Sequence, residues 1–174
     1  MKRIKLPKRI LILGAPATGK NFLAERISIL ARIKFYDLDD IYYRRKFDIP
    51  RPDHLRKRKL DRLSKNKSWI IGGLPFSWIG SALRRADMII ILKERFHIKV
   101  IRILMRSFRR RLKGEAINES LSGLVEFIHD SYHYFHKPTG KGSVSLREFQ
   151  KAYGSKMIVL SSKKEVSEFL KSVN

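Results

Sequence analysis

The stretch that most constrains this chain runs Ile10-Leu11-Ile12-Leu13-Gly14-Ala15-Pro16-Ala17-Thr18-Gly19-Lys20-Asn21. Four apolar residues lead into a glycine, four residues intervene, and Gly19-Lys20 opens a helical pattern carried by Phe22, Leu23, Ile27 and Leu30. The spacing is that of the G-x-x-x-x-G-K-[ST] loop, with Asn21 where Ser or Thr is expected. A buried strand would deliver the chain to a turn whose backbone N–H groups face inward. The unsatisfied donors and dipole of the following helix then favour a phosphate. Gly14, Ala15, Pro16, Ala17, Thr18, Gly19, Lys20 and Asn21 are therefore the expected nucleotide-binding residues, with Lys20 directed at the β- and γ-phosphates.

The chain has 174 residues and 43% hydrophobic content, which predicts one domain with a sizeable core. No run of eighteen apolar residues occurs, so no membrane span is expected. The amino-terminal residues lack the apolar stretch of a signal peptide, and there is no cysteine. Together these predict a cytoplasmic protein without disulfides or thiolate metal sites. Against 16 Asp+Glu stand 39 Lys+Arg, a formal net charge of +23. That excess fits a polyanionic partner such as DNA or RNA bound through a basic surface, or a proteome that is basic throughout.

Strands are predicted at residues 8–13, 33–36, 68–75, 86–92 and 156–160, and helices at 19–32, 76–85, 95–113, 115–136 and 163–173. Strands alternating with helices predict an α/β fold with a parallel sheet, whose ligands gather at the carboxyl ends of the strands. Asp37, Asp39 and Asp40 fall at that edge. One carboxylate suits a hydroxyl's proton and another a Mg²⁺ ion, while Asp39 or Asp40 also suits a helix cap. The expectation is Mg²⁺ on Asp37, acceptor chemistry on Asp39 and capping by Asp40. No acid closes the 86–92 strand: Glu94 comes a residue late, and Asp87 stands at its start, the wrong edge.

Residues 44–67 are dense in Arg and Lys and are broken by Pro50 and Pro52, as either an acceptor-binding insertion or a solvated basic helix. In 95–113, Ile98, Ile101, Leu104/Met105, Phe108 and Leu112 predict a buried stripe, with Arg106, Arg109 and Arg110 on the opposite, basic face. His129, His133 and His136 share a helical face and would suit a metal only with further ligands. Ser162 falls in a turn at the carboxyl end of the last strand, within reach of a nucleotide base.

The order of phosphate loop, FYDLDDIYY, WIIGGLP, RRADMIIIL and IRILMRSFRRR resembles the adenylate-kinase-like P-loop kinases, most of all the DNA topology modulation branch. The resemblance covers nearly the whole chain, more loosely over 40–67 and 115–150. It implies a three-layer P-loop NTPase sandwich with a five-stranded parallel sheet and a basic helical lid at about 106–150. It also implies ATP and Mg²⁺ as ligands and phosphoryl transfer to a small acceptor. Carried over by position, Gly14, Gly19 and Lys20 would bind phosphates, Asp39 would face the acceptor, and Arg106 and Arg110 would belong to the lid. Asp37 and Asp39 are also similar to the paired aspartates of shikimate kinases, where one serves Mg²⁺ and the other the acceptor hydroxyl. Three residues depart from these patterns: Asn21 replaces a hydroxyl, Gly72 stands for Asp, and Phe76 stands for Arg.

The leading expectation is an ATP-dependent phosphotransferase acting on a nucleotide or a hydroxylated metabolite. In it Lys20, Asp39, Arg106 and Arg110 are catalytic, Arg109 and Ser162 join the nucleotide site, and Asn21 and Asp37 hold the metal. The alternative is a nucleic-acid-binding protein that keeps the fold and nucleotide binding with little transfer activity.

Overall fold

The computed structural model describes residues 4–44, 49–75, 77–93 and 146–173, with the helical positions 98, 100, 101, 103–105, 108 and 112 between them. Five parallel strands form one sheet in the order β2-β3-β1-β4-β5: β1 Arg9–Gly14, β2 Phe35–Asp37, β3 Trp69–Gly73, β4 Met88–Leu92 and β5 Met157–Leu160. The central strand β1 pairs with β3 on one side and β4 on the other, with Leu11 opposite both Ile71 and Ile89. Its Ile10, Leu11, Ile12 and Leu13 are fully buried. A strand covered on both faces must be apolar at every position, which is why β1 and β4 read as continuous runs rather than alternations.

Helices cover the two faces. On one, α1 (Lys20–Ala31) and the C-terminal α6 (Lys163–Ser172) pack Leu23, Ala24, Ile27 and Phe169 against Ile10, Ile12, Ile70 and Ile90. On the other lie α2 (Leu38–Tyr42), α3 (Asp53–Ser64), a 3-10 turn at Ser77–Ile79, α4 (Gly80–Arg85) and α5 (Leu146–Tyr153). There Leu38, Leu60, Trp78, Ile79 and Phe149 meet Leu11, Leu13, Ile71 and Ile91. This is the α/β fold with a parallel sheet anticipated from the alternation of elements, in the three layers that the resemblance implied. No helix among the described residues is long and apolar enough to cross a membrane.

Two local expectations change. The α5 helix had no counterpart in the sequence reading; its burial rests on Phe149, which a short mixed segment does not advertise. The stripe expected to be buried in the 95–113 helix is turned outward: Ile101, Leu104, Met105, Phe108 and Leu112 are exposed, Ile98 is half-buried, and Ile103 is buried in their place. Among the described positions the buried side is one step removed from the one the periodicity favoured, since apolar residues occur on more than one face. Phe76, Glu94, Arg106, Arg109, Arg110 and the three histidines His129, His133 and His136 lie outside the described residues.

Asp87 does sit at the amino edge of the sheet, and its role there is structural. Arg9 grips it through Nη2 at 2.6 Å and Nε at 3.1 and 3.2 Å, while its carboxylate also accepts from the Arg9 backbone amide. Nearby, Lys156 Nζ donates to the carbonyls of Leu83 and Ala86, both at 2.8 Å, tying β5 to the turn before β4. The Arg9 hydrogen bonds hold the Asp87 carboxyl below its ordinary range, against the opposing effect of burial. Because the folded value is depressed, this stabilisation is complete above the ordinary carboxylate value of about 4 and is lost as pH falls through the lower folded value. Asp87→Asn should therefore cost about 1 kcal/mol in urea unfolding at pH 7, with the difference from wild type closing as the pH falls below about 4.

Candidate active site

The site grows from the carboxyl end of β1. Gly14 is close to Thr18 and to β4: a Cβ there would lie 2.7 Å from Thr18 Oγ1 and 3.1 Å from the Leu92 carbonyl oxygen. Buried Thr18 donates its hydroxyl to the Ala15 carbonyl at 2.8 Å, closing the loop on itself. The chain then turns through two left-handed residues, Ala17 (φ 61°) and Gly19 (φ 86°), before α1 begins at Lys20. Glycine meets that demand without strain at the second position; Ala17 accepts a small cost at the first. Gly19 caps α1 with no side chain, and no acid stands in the first turn. A helix start of this kind favours an anion, and Lys20 stands at it.

From the first turn of α1, Asn21 reaches across to β2. Its Nδ2 donates to Asp37 Oδ2 at 3.2 Å, while its Oδ1 is buried and has no hydrogen-bond partner among the described residues. Asp37 is itself buried and N-caps α2, its Oδ1 accepting from the Asp39 amide at 3.0 Å. One carboxylate therefore joins the loop helix to the element that carries Asp39. The cap expected of Asp40 belongs to Asp37, because the helix starts three residues earlier than the sequence suggested; Asp40 is exposed within α2.

The position of α2 depends on β3. A Cβ on Gly73 would stand 2.5 Å from Leu38 Cβ, so this glycine is what lets the β2–α2 corner close onto the sheet. A Cβ on Gly72, opposite Asp37 in register, would lie 2.9 Å from the Phe35 ring. An aspartate in its place would have to displace that ring, which is a local reason for the departure at Gly72.

Sequence reasoning missed the residues that hold the other end of α2. Arg51, between Pro50 and Pro52, donates Nη1 to the carbonyls of Asp40 at 2.8 Å, Ile41 at 3.0 Å and Tyr43, and Nη2 to Arg44 at 3.3 Å. Lys59 adds a bond to the Asp40 carbonyl at 3.1 Å. A five-residue helix cannot satisfy its own last carbonyls, and these two cations do so. Burial, then the nearby Arg51 charge, push the Lys59 ammonium below its usual value. Tyr43 follows α2, and burial, Tyr42 and the Asp39 carboxylate raise its hydroxyl's pKa in that order. Arg56 lies 4.5 Å over the Tyr42 ring and 5.9 Å from Trp78, with its Nε buried and without a partner among the described residues. The only advance signal was the arginine between two prolines.

Gly14 to Asn21, Asp37 and Asp39 thus come together at one sheet edge. Ser162 lies at the carboxyl end of β5, and its hydroxyl is engaged in capping α6, accepting from the Glu165 amide at 3.2 Å and donating to Glu165 Oε1 at 3.0 Å. A Mg²⁺ ion fits the donor set, since a buried orphan amide oxygen and an adjacent carboxylate are hard oxygen ligands at the position the sequence assigned to the metal.

The fold with this loop at the end of its central strand is that of P-loop kinases. A gluconokinase from Sinorhizobium meliloti superposes with a TM-score of 0.59 at 15% identity, over 97% of this chain and 90% of that one. The shikimate kinase of Bacteroides thetaiotaomicron gives 0.56 at 13% identity over 94% of each chain. A putative kinase from Chloroflexus aurantiacus gives 0.55 at 14% identity over 95% of each. No protein-family model matches the sequence, and no curated protein matches it.

Gly73→Ala tests the close approach that seats α2. The added methyl should cost about 1–3 kcal/mol of stability by overpacking, read by urea unfolding, whereas Gly154→Ala, where a Cβ meets nothing within 4 Å, should leave stability within about 0.5 kcal/mol of wild type.

Proposed function

We propose that this chain is an ATP-dependent phosphotransferase that moves the γ-phosphoryl group of ATP to the hydroxyl of a small acceptor, a nucleotide or a hydroxylated metabolite. The observation that carries this reading is the Asn21–Asp37–Asp39 connection, in which one buried carboxylate bonds the first turn of the phosphate-loop helix and caps the helix bearing a second carboxylate. Kinship with the adenylate-kinase-like class and its topology modulation branch is part of the same proposal.

In this reading the backbone N–H groups of residues 15 and 17–20 and the Lys20 ammonium hold the triphosphate and offset the charge that builds on the migrating group. Asn21 and Asp37 hold the Mg²⁺ ion, which when bound supplies positive charge to the phosphate oxygens. Asp37 also fixes the start of α2, so that Asp39 is presented in one orientation. Asp39 accepts the proton of the attacking hydroxyl. Arg51 and Lys59 keep the far end of α2 from shifting, which matters because misplacement by about 1 Å costs on the order of 100-fold in rate. Arg106 and Arg110 close over the transferring group, with Arg109 and Ser162 on the nucleotide, and closure excludes water from the phosphoryl group.

The test is phosphoryl transfer from labelled ATP to a panel of nucleosides, nucleoside monophosphates and hydroxy acids. Lys20→Ala should lower turnover by about 100-fold or more. Asp39→Asn should lower it by about 100- to 10,000-fold with nucleotide binding retained. Asn21→Leu should raise the Mg²⁺ concentration needed for half-maximal rate by about 10- to 100-fold. Labelled product formed equally well by Lys20→Ala would overturn the reading.

A further inference from the structure

The charges around α3 are unevenly matched. Between Asp53 and Ser64 the helix carries Arg56, Lys57, Arg58, Lys59 and Arg62 against Asp53 and Asp61. Both acids are already engaged. Asp53 meets Lys57 at 2.6 Å and Arg56 at 3.5 Å, and Asp61 meets Arg85 at 2.7 Å and Lys65 at 2.8 Å. Arg58 and Arg62 are left exposed, one helical turn apart on the same face, with no acidic partner among the described residues.

Arg58 and Arg62 stand on the outer side of α3, and the inner side of the same helix meets the acceptor side of the site. Arg56 stacks on Tyr42, the last residue of α2, and keeps a buried Nε without a partner. Lys59 reaches the Asp40 carbonyl beside Asp39, and Tyr43 packs edge-on to Tyr42 with centroids 4.7 Å apart. At three-residue steps Arg62, Lys59 and Arg56 run round α3 from its exposed side to the α2 side, where Arg56 covers Tyr42 and Tyr43 stands beside Asp39. A neutral sugar or a single carboxylate needs no such row. Cations along a helix ending at aromatic rings are the arrangement that tracks a single-stranded nucleic-acid backbone and stacks its bases.

We infer that the acceptor hydroxyl is the end of a single-stranded nucleic acid, with Arg58 and Arg62 contacting backbone phosphates behind the terminal nucleotide. This rests on the phosphotransferase reading above and names its substrate class. In the step, the terminal hydroxyl oxygen forms a bond to the γ-phosphorus and the bond to the β,γ-bridging oxygen breaks. ADP leaves with that electron pair, and the hydroxyl proton passes to Asp39 and then to solvent. The product is a strand ending in a phosphate monoester.

The experiment uses the whole protein with 12-nucleotide DNA and RNA strands, each with a free hydroxyl at one end and a phosphate at the other. Binding is followed by fluorescence anisotropy across a salt series, and transfer by label from ATP. Wild type should bind with log K falling linearly in log salt. Arg58→Gln/Arg62→Gln should make that slope shallower by about 1.4 and weaken binding about tenfold or more. The same double variant should lose strand phosphorylation in kcat/KM while its rate on a mononucleoside acceptor stays at the wild-type level. The arm that becomes labelled identifies DNA or RNA, and which end. Transfer to small acceptors with no strand binding, or strand phosphorylation indifferent to the double variant, overturns this inference and leaves the kinase intact. Salt-dependent strand binding with no transfer to any acceptor overturns both, and leaves a nucleic-acid-binding protein on a kinase fold.

Discussion

The arrangement depends on burying β1 on both faces and both edges. Ile10, Leu11, Ile12 and Leu13 have no exposed surface, and each of these side chains is worth about 1.5–3 kcal/mol when removed from water. Their backbone groups are satisfied by β3 on one side and β4 on the other. Once this strand is central, the loop that follows it has one place to go, the middle of the sheet's carboxyl edge. Gly14 must then pass within contact distance of Leu92 and Thr18, and α1 must begin at that edge.

From that point the site is held by a short series of polar contacts that run perpendicular to the strands. Asn21 to Asp37 and Asp37 to the Asp39 amide connect the loop helix, the edge strand and the short helix beyond it. The apolar layers cannot do this, because packing tolerates small sliding whereas a capped helix start does not. Arg51 and Lys59 secure the opposite end of the same helix. Asp39 therefore sits on a five-residue element fixed at both ends, an economical way to orient one carboxylate.

Much of the fold was legible because its signals are local. β1, β3, β4 and β5 appear as apolar runs, α1 and α6 as periodic stripes, and the phosphate loop as a fixed spacing of glycines and lysine. The pairing of Asn21 with Asp37 was also accessible, since both lie at predicted carboxyl ends. The stripe of the 95–113 helix was misread, because a helix with apolar residues on several faces does not say which is covered, and Ile103 rather than Ile101 or Phe108 is the one that is. The cap of α2 was assigned to Asp40 when Asp37 makes it, a matter of where a helix starts to within a turn.

By itself the sequence determined the class of sheet, the order of its elements and the phosphate loop, because burial and backbone geometry act over a few neighbouring residues and leave a pattern there. Tertiary structure alone decided what surrounds Asp39. Gly73 matters only because Leu38 comes within 2.5 Å of its missing Cβ, Arg51 because four carbonyls of a neighbouring segment converge on it, and Arg56 because Tyr42 and Trp78 stack beside it. Each role arises from groups brought together by chain reversal, and no spacing along the chain encodes a contact made that way.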